Sequence, residues 1–153
     1  SDVYKRQKII IRSGKYQNQH RNQSNFFIFT QLNWKKACMK KIFYLKTCST
    51  CKRILDTIPT DGFEMREIKS EPLTKKEVDD LQKLAKSYEA LFSRRAQKYK
   101  TLGLKDKILN EQDYKGYILS DYTFLKRPVI VDGQSIFIGS DRKNIEALEN
   151  HFK

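Results

Sequence analysis

From residue 39 onward, apolar and polar positions alternate between two periods. Ile42-Phe43-Tyr44-Leu45 is a continuous apolar run and predicts a short buried strand over Lys40–Leu45. The run breaks at Thr47. Ile54, Leu55 and Ile58 then mark one face of a helix over Ser49–Ile58, with Pro59 just beyond it and Asp61-Gly62 as a turn. Phe63–Ile68 alternates imperfectly, with Phe63, Met65 and Glu67 set against Glu64, Arg66 and Ile68, and predicts a second strand that ends at Glu71-Pro72. Thr74 and Glu77 have capping-box spacing, and the helix behind them carries Val78, Leu81, Leu84 and Ala85 on one face. Tyr88–Phe92 reads as a short helical turn, and 94–102 and 104–109 as helical pieces split by Gly103. Asn110 or Glu111 opens a further helix with Tyr114, Tyr117, Ile118 and Tyr122 inside, at a spacing that suits core residues. Val129–Val131 is a buried strand, Asp132-Gly133 a hairpin turn and Ser135–Ile138 the return strand. Gly139-Ser140-Asp141 leads into a last amphipathic helix with Ile145, Leu148 and Phe152.

The first 38 residues break this regularity. They are rich in Gln, Asn, Lys and Arg, and their one apolar patch, Phe26–Phe29, is too short for the core of a signal peptide. The formal charge of the chain is +13, but residues 1–38 supply +7 of it and the remaining 115 residues only +6. The patterned part is therefore mildly basic. It suits a small anion or an acidic partner, and direct nucleic-acid binding is not expected of it. Met39-Lys40-Lys41 opens the first strand as a bacterial start would. The expectation is a disordered or artefactual extension over 1–38, its opening similar to sequencing-adapter read-through, followed by one domain over 39–153. The rival reading is a basic arm for nucleic acid or membrane. Cys38 falls in this stretch and is assigned no role. No apolar run approaches the roughly 20 residues of a membrane span.

The chemistry concentrates at Cys48-Ser49-Thr50-Cys51, where the first strand turns into the first helix. Unpaired N–H groups and the dipole at a helix N-terminus stabilise a thiolate, and Lys46, Lys52 and Arg53 add positive charge nearby. Cys48, at the tip, is the candidate nucleophile. Cys51, one turn on, is its candidate resolving or redox partner. Ser49 and Thr50 are placed to donate hydrogen bonds to a bound anion or to cap the helix. Three cysteines are too few for a secreted disulfide framework, and a reducing cytoplasm is the expected setting. A zinc site is not expected, because His20 and His151 lie near opposite ends without ligand spacing.

A β-α-β unit with Cys-x-x-Cys at its first turn, then an all-helical stretch over 72–125, then β-β-α, predicts an α/β thioredoxin-like fold. Its sheet would be mixed and four-stranded, with 72–125 as an insertion. Thr47-Cys48-Ser49-Thr50-Cys51-Lys52-Arg53, Ser70-Glu71-Pro72-Leu73-Thr74, Phe92-Ser93-Arg94-Arg95, Leu102-Gly103 and Lys126-Arg127-Pro128-Val129-Ile130-Val131 follow one another in an order that resembles the arsenate reductase–Spx family across 39–153. The resemblance implies a thiol oxidoreductase in which Cys48 attacks an oxyanion or a disulfide. Arg127 would match one anion-holding arginine, and Arg94 or Arg95 another; adjacent positions on a helix or turn point apart, so at most one of the two is expected in the cleft. Gly139 falls where a third arginine is expected. Pro128 would follow a cis peptide bond, and glutathione, glutaredoxin or thioredoxin would be the reductant, with no bound cofactor. The Cys48–Cys51 pair is similar to Spx, which implies the alternative of a redox-sensing regulator that binds the RNA polymerase alpha subunit. If 39–153 is the folding unit, deleting residues 1–38 leaves the thermal midpoint and the Cys48 alkylation rate unchanged; a large loss of either would restore a role to the basic stretch.

Overall fold

A computed structural model describes residues 39–153; the extension expected over 1–38, with Cys38, lies outside the described residues. The elements are β1 (Lys40–Tyr44), α1 (Ser49–Leu55), β2 (Glu64–Glu67), α2 (Lys75–Ala85), α3 (Tyr88–Leu91), α4 (Gln97–Thr101), a 3-10 turn at Leu104–Asp106, α5 (Glu111–Ser120), a second 3-10 turn at Tyr122–Phe124, β3 (Val129–Asp132), β4 (Ser135–Ile138) and α6 (Arg142–His151). The strands form one mixed sheet in the order β2-β1-β3-β4. β1 runs parallel to β2 and antiparallel to β3, and β3 and β4 form an antiparallel hairpin. This is the expected α/β thioredoxin-like architecture.

Period-two alternation sends successive side chains of the two central strands to opposite faces. Ile42, Ile130 and Phe137 point to one side, where Ile54 of α1, Ile58 just beyond it and Leu148 of α6 cover them. Phe43, Val129 and Val131 point to the other, where the helices between β2 and β3 bring Val78, Leu81, Leu91 and Phe124. Both faces are dry, which is why β1 and β3 read as unbroken apolar runs rather than as alternation. Phe92 is the hub of the second layer: its ring stacks on Phe124 at 5.3 Å and tilts against Tyr114 at 5.0 Å. Tyr114 is buried, and Tyr117 packs on Phe124, so the tyrosine spacing builds core.

Several boundaries differ from the periodic reading, each for an identifiable reason. α1 stops at Leu55, and a turn follows in which the Thr57 hydroxyl donates to the Ile54 carbonyl (2.8 Å); Ile58 is still buried, from outside the helix. The helix expected over 94–102 shrinks to Gln97–Thr101, because Phe92 pairs with Leu125 in an isolated bridge and Ser93 N–H donates to the Phe124 carbonyl (2.7 Å), leaving 94–95 as a turn. The piece expected over 104–109 is a single 3-10 turn, and Ile108 beyond it stands fully in solvent. Tyr122 sits after α5, in the 3-10 turn that Asp121 caps. Met65 is 42% exposed, since β2 is an edge strand covered only in part. Among the described residues no helix is long and apolar enough to cross a membrane.

The capping box of α2 is present and also ties the sheet to the helices. Glu77 accepts from the Thr74 N–H at 2.9 Å and from Lys41 Nζ at 2.8 Å, and Lys41 reaches Glu64 at 2.9 Å. Burial works against the Glu77 carboxylate, but Lys41 and the two donors of Thr74 prevail and hold its pKa at about 2. A depressed carboxylate stabilises the fold above its unfolded pKa, and that contribution disappears as pH falls through the folded value. Glu77→Gln is therefore expected to lower the urea midpoint near neutral pH. The gap from wild type should narrow as pH falls from about 4.5 towards about 2; a gap independent of pH would show that the Glu77 charge contributes nothing.

Candidate functional site

The β1–β3 register decides where the chemistry meets. Phe43 stands opposite Val129, so the chain leaving β1 and the chain entering β3 emerge at the same end of the sheet. The first carries Cys48 and the second Arg127-Pro128. A tight turn follows β1, closed by Cys48 N–H to the Leu45 carbonyl (3.1 Å), and puts Cys48 at the N-cap of α1 in extended conformation. Cys48 is partly exposed and Cys51 fully buried; neither is in a disulfide.

On the other side, Lys126 N–H donates to the Leu91 carbonyl (2.8 Å). With the Phe92–Leu125 bridge, this bond draws the segment after α3 against the entry to β3. The Arg127–Pro128 peptide is cis, as the resemblance implied. The resulting cleft, of about 520 Å3, is lined by Cys48, Thr50, Arg94, Arg95, Lys126 and Arg127, and by Gly139 and Ser140. Ser49 is exposed and does not line it. Arg94 and Arg95, in the turn before α4, both line it, against the expectation of at most one. They are not equivalent. Arg94 is held by Glu89 at 2.6 Å and lies within 3.4 Å of the Tyr114 hydroxyl, whereas Arg95 makes no ion pair among the described residues. Arg127 Nη1 is buried and has no hydrogen-bond partner, a condition shared among the described side chains only by Arg66 Nε. A buried guanidinium N–H without an acceptor is costly unless a ligand supplies one.

The two thiols are displaced in opposite directions. Burial opposes a Cys48 thiolate, yet the backbone N–H of Cys51, the Cys51 thiol, the Thr50 N–H and the Arg127 guanidinium outweigh it, and the Cys48 pKa falls below its ordinary value. In the thiol state the sulfur forms no cap hydrogen bond of normal geometry; the N–H dipoles act on the charged form. Burial pushes the Cys51 thiol up, and with the charge and hydrogen bonding of Cys48 against it, its pKa reaches about 11 despite the Leu45 backbone and Arg127. As pH rises, the partly exposed Cys48 sulfur ionises before the buried Cys51 sulfur. Among the described residues there is no group of three or more His, Cys, Asp or Glu that could hold a metal.

A family model described as the ArsC family matches residues 43–148. The chain belongs to the ArsC family. A curated relative, the uncharacterized protein YusI of Bacillus subtilis, is 27% identical over 109 residues, 68% of this chain and 92% of YusI. Among solved structures, an arsenate reductase from Vibrio cholerae superposes with a TM-score of 0.56 at 19% identity, covering 72% of this chain and 98% of that one. An arsenate reductase (ArsC) related protein from Brucella melitensis does so with a TM-score of 0.55 at 20% identity, covering 71% and 92%. At these identities the superpositions speak for the ArsC fold alone.

Within this ArsC-family chain, position 139 has a backbone reason to be glycine. Its φ is +80°, where a side chain is strained, and its N–H donates to the Pro128 carbonyl at 2.8 Å. An arginine there would need a different loop. Sequence reasoning passed over Lys126 and Ser140 as site residues. Lys126 had a visible signal, its place beside Arg127, but which way it pointed depended on the loop at 139. The expected result of measuring Cys48 alkylation by iodoacetamide against pH is a midpoint below that of a free thiol. Arg127→Met should raise that midpoint, whereas Arg94→Met, which removes a cation already paired with Glu89, should not.

Proposed function

We propose that the protein is a thiol-dependent oxidoreductase, with Cys48 as nucleophile and Cys51 as resolving thiol. The observation that carries this reading is the opposite displacement of the two thiols beside an Arg127 N–H that lacks a partner. Cys48 Sγ attacks an electrophilic atom of an oxyanion or a disulfide sulfur, forming one covalent bond as the leaving group departs with its electron pair and takes up a proton. Arg127 and Arg95 hold the anion, one by a buried fork and the other from the rim, and Thr50 adds a donor. In the adduct the Cys48 sulfur is neutral. Both effects by which Cys48 raised its partner, charge and hydrogen bonding, are then gone. Cys51 becomes easier to deprotonate at the moment its attack is needed. It attacks Cys48 Sγ, the Cys48–Cys51 disulfide forms, and the substrate leaves with the two electrons. An external dithiol such as glutaredoxin or thioredoxin, or glutathione, restores the pair in a reducing cytoplasm.

The cleft volume suits an organic thiol or disulfide as well as a bare oxyanion, since ligand pockets of roughly 300–1,000 Å3 take drug-sized molecules. Gly139, where an arginine was expected, favours the second reading to that extent: a redox sensor whose Cys48–Cys51 disulfide reports to RNA polymerase. Turnover of arsenate and of model disulfides by wild type, Cys48→Ser and Cys51→Ser, with glutaredoxin or thioredoxin supplied, tests the two. The enzyme reading expects Cys48→Ser to lose about a thousandfold or more on every substrate, and Cys51→Ser to be partly rescued by a small thiol. No turnover on any substrate, with retention of RNA polymerase by the oxidised protein, would replace it with the sensor.

A further inference from the structure

Building on the anion-holding role just given to this cleft, we propose that Lys126 is its third cation, standing in for the side chain that Gly139 lacks. A Cβ built on Gly139 would lie 3.7 Å from Lys126 Cβ and 3.8 Å from its Cδ, so the aliphatic stem of the lysine lies across the bare glycine backbone. The floor under that stem is rigid. Asn144 Nδ2 donates to the Gly139 carbonyl at 2.9 Å, its Oδ1 accepts from Ile138 N–H at 3.0 Å, and Gly139 N–H is bound to Pro128. A Cβ at 139 would meet the stem at ordinary van der Waals distance; it is the φ of +80° that strains a side chain there, and the bare glycine backbone is what Lys126 lies against.

Lys126 is half-buried, lines the same cleft as Cys48, and makes no ion pair among the described residues. Its charge is thus available to a ligand, in contrast with that of Arg94, which Glu89 neutralises. Of the two acidic residues that line the cleft, Glu89 pairs with Arg94, and Asp141 is exposed and does not pair with Lys126. Three cations then line the cleft that holds Cys48: a half-buried fork at Arg127 with its Nη1 buried, an exposed fork at Arg95 and the point charge of Lys126. Two forks and an ammonium demand less of the ligand's shape than three forks would. The ligand class is accordingly an anion of any planar or tetrahedral kind, a carboxylate included, attached next to the atom that Cys48 attacks.

A charge-selective pair of alkylating reagents reads this directly. Iodoacetate and iodoacetamide attack the same thiolate, so the ratio of their rates at Cys48, located by mass spectrometry, cancels the thiolate fraction and any general loss of accessibility. It leaves the attraction for the carboxylate. Lys126→Met is expected to lower the iodoacetate to iodoacetamide ratio about threefold to fivefold at low salt, and Lys126→Arg to keep it within about twofold of wild type. If Lys126→Met leaves the ratio unchanged while Arg127→Met lowers it, the anion site exists without Lys126 and the proposal is overturned. If neither substitution moves the ratio, the cleft does not attract anions, and the anion-holding role itself falls with it.

Discussion

The antiparallel pairing of β1 with β3 is the constraint on which the rest depends. These strands are central, buried on both faces and locked by Ile42 opposite Ile130. A slip of β1 by one residue would send Ile42 into the layer built for Phe43 and Val129, so the register is strongly specified. That register, and no local signal, brings the end of β1 beside the start of β3. The cysteine turn and Arg127 become neighbours as a consequence, although they lie far apart in the chain.

The helical stretch between β2 and β3 does more than cover one face. Through the Phe92–Leu125 bridge and the Ser93 and Lys126 backbone bonds, it fastens the Arg94-Arg95 turn to the entrance of β3. The aromatic packing of Phe92 on Phe124 sits directly behind this junction. Core and site are therefore one piece: Phe92, the hub of the second layer, also lines the cleft. The electrostatics follow from the same placement. A partly exposed sulfur near N–H groups and a guanidinium ionises readily, whereas a sulfur one helical turn deeper does not.

Legibility along the chain varied with the range of the forces involved. The strands, the α2 capping box and the Asp132-Gly133 hairpin are set by neighbours a few residues apart, and each was readable. Boundaries failed where a distant partner intervened: α4 is short because Leu125 and Phe124 claim the backbone of Phe92 and Ser93, and Met65 is exposed because nothing pairs with the outer edge of β2. At the site, the Cys-x-x-Cys spacing and the Arg127-Pro128 step were visible. The difference between Arg94 and Arg95 was not, since it rests on Glu89 and on a turn where a helix had been expected.

By itself, the sequence determined the alternation of elements, the dry central strands, the position of the reactive sulfur at a strand-to-helix turn and the family to which the ordered motifs belong. The first three are encoded in period and spacing, which act locally; the family rests on the resemblance of the ordered motifs and the family-model match. The tertiary structure alone decided which cations remain available around that sulfur. Arg94 is neutralised, Arg127 keeps a buried N–H without an acceptor, and Lys126 lies over Gly139. The reason is physical: the charge that matters at a site is what remains after neighbours have paired, and those neighbours come from segments that only folding brings together.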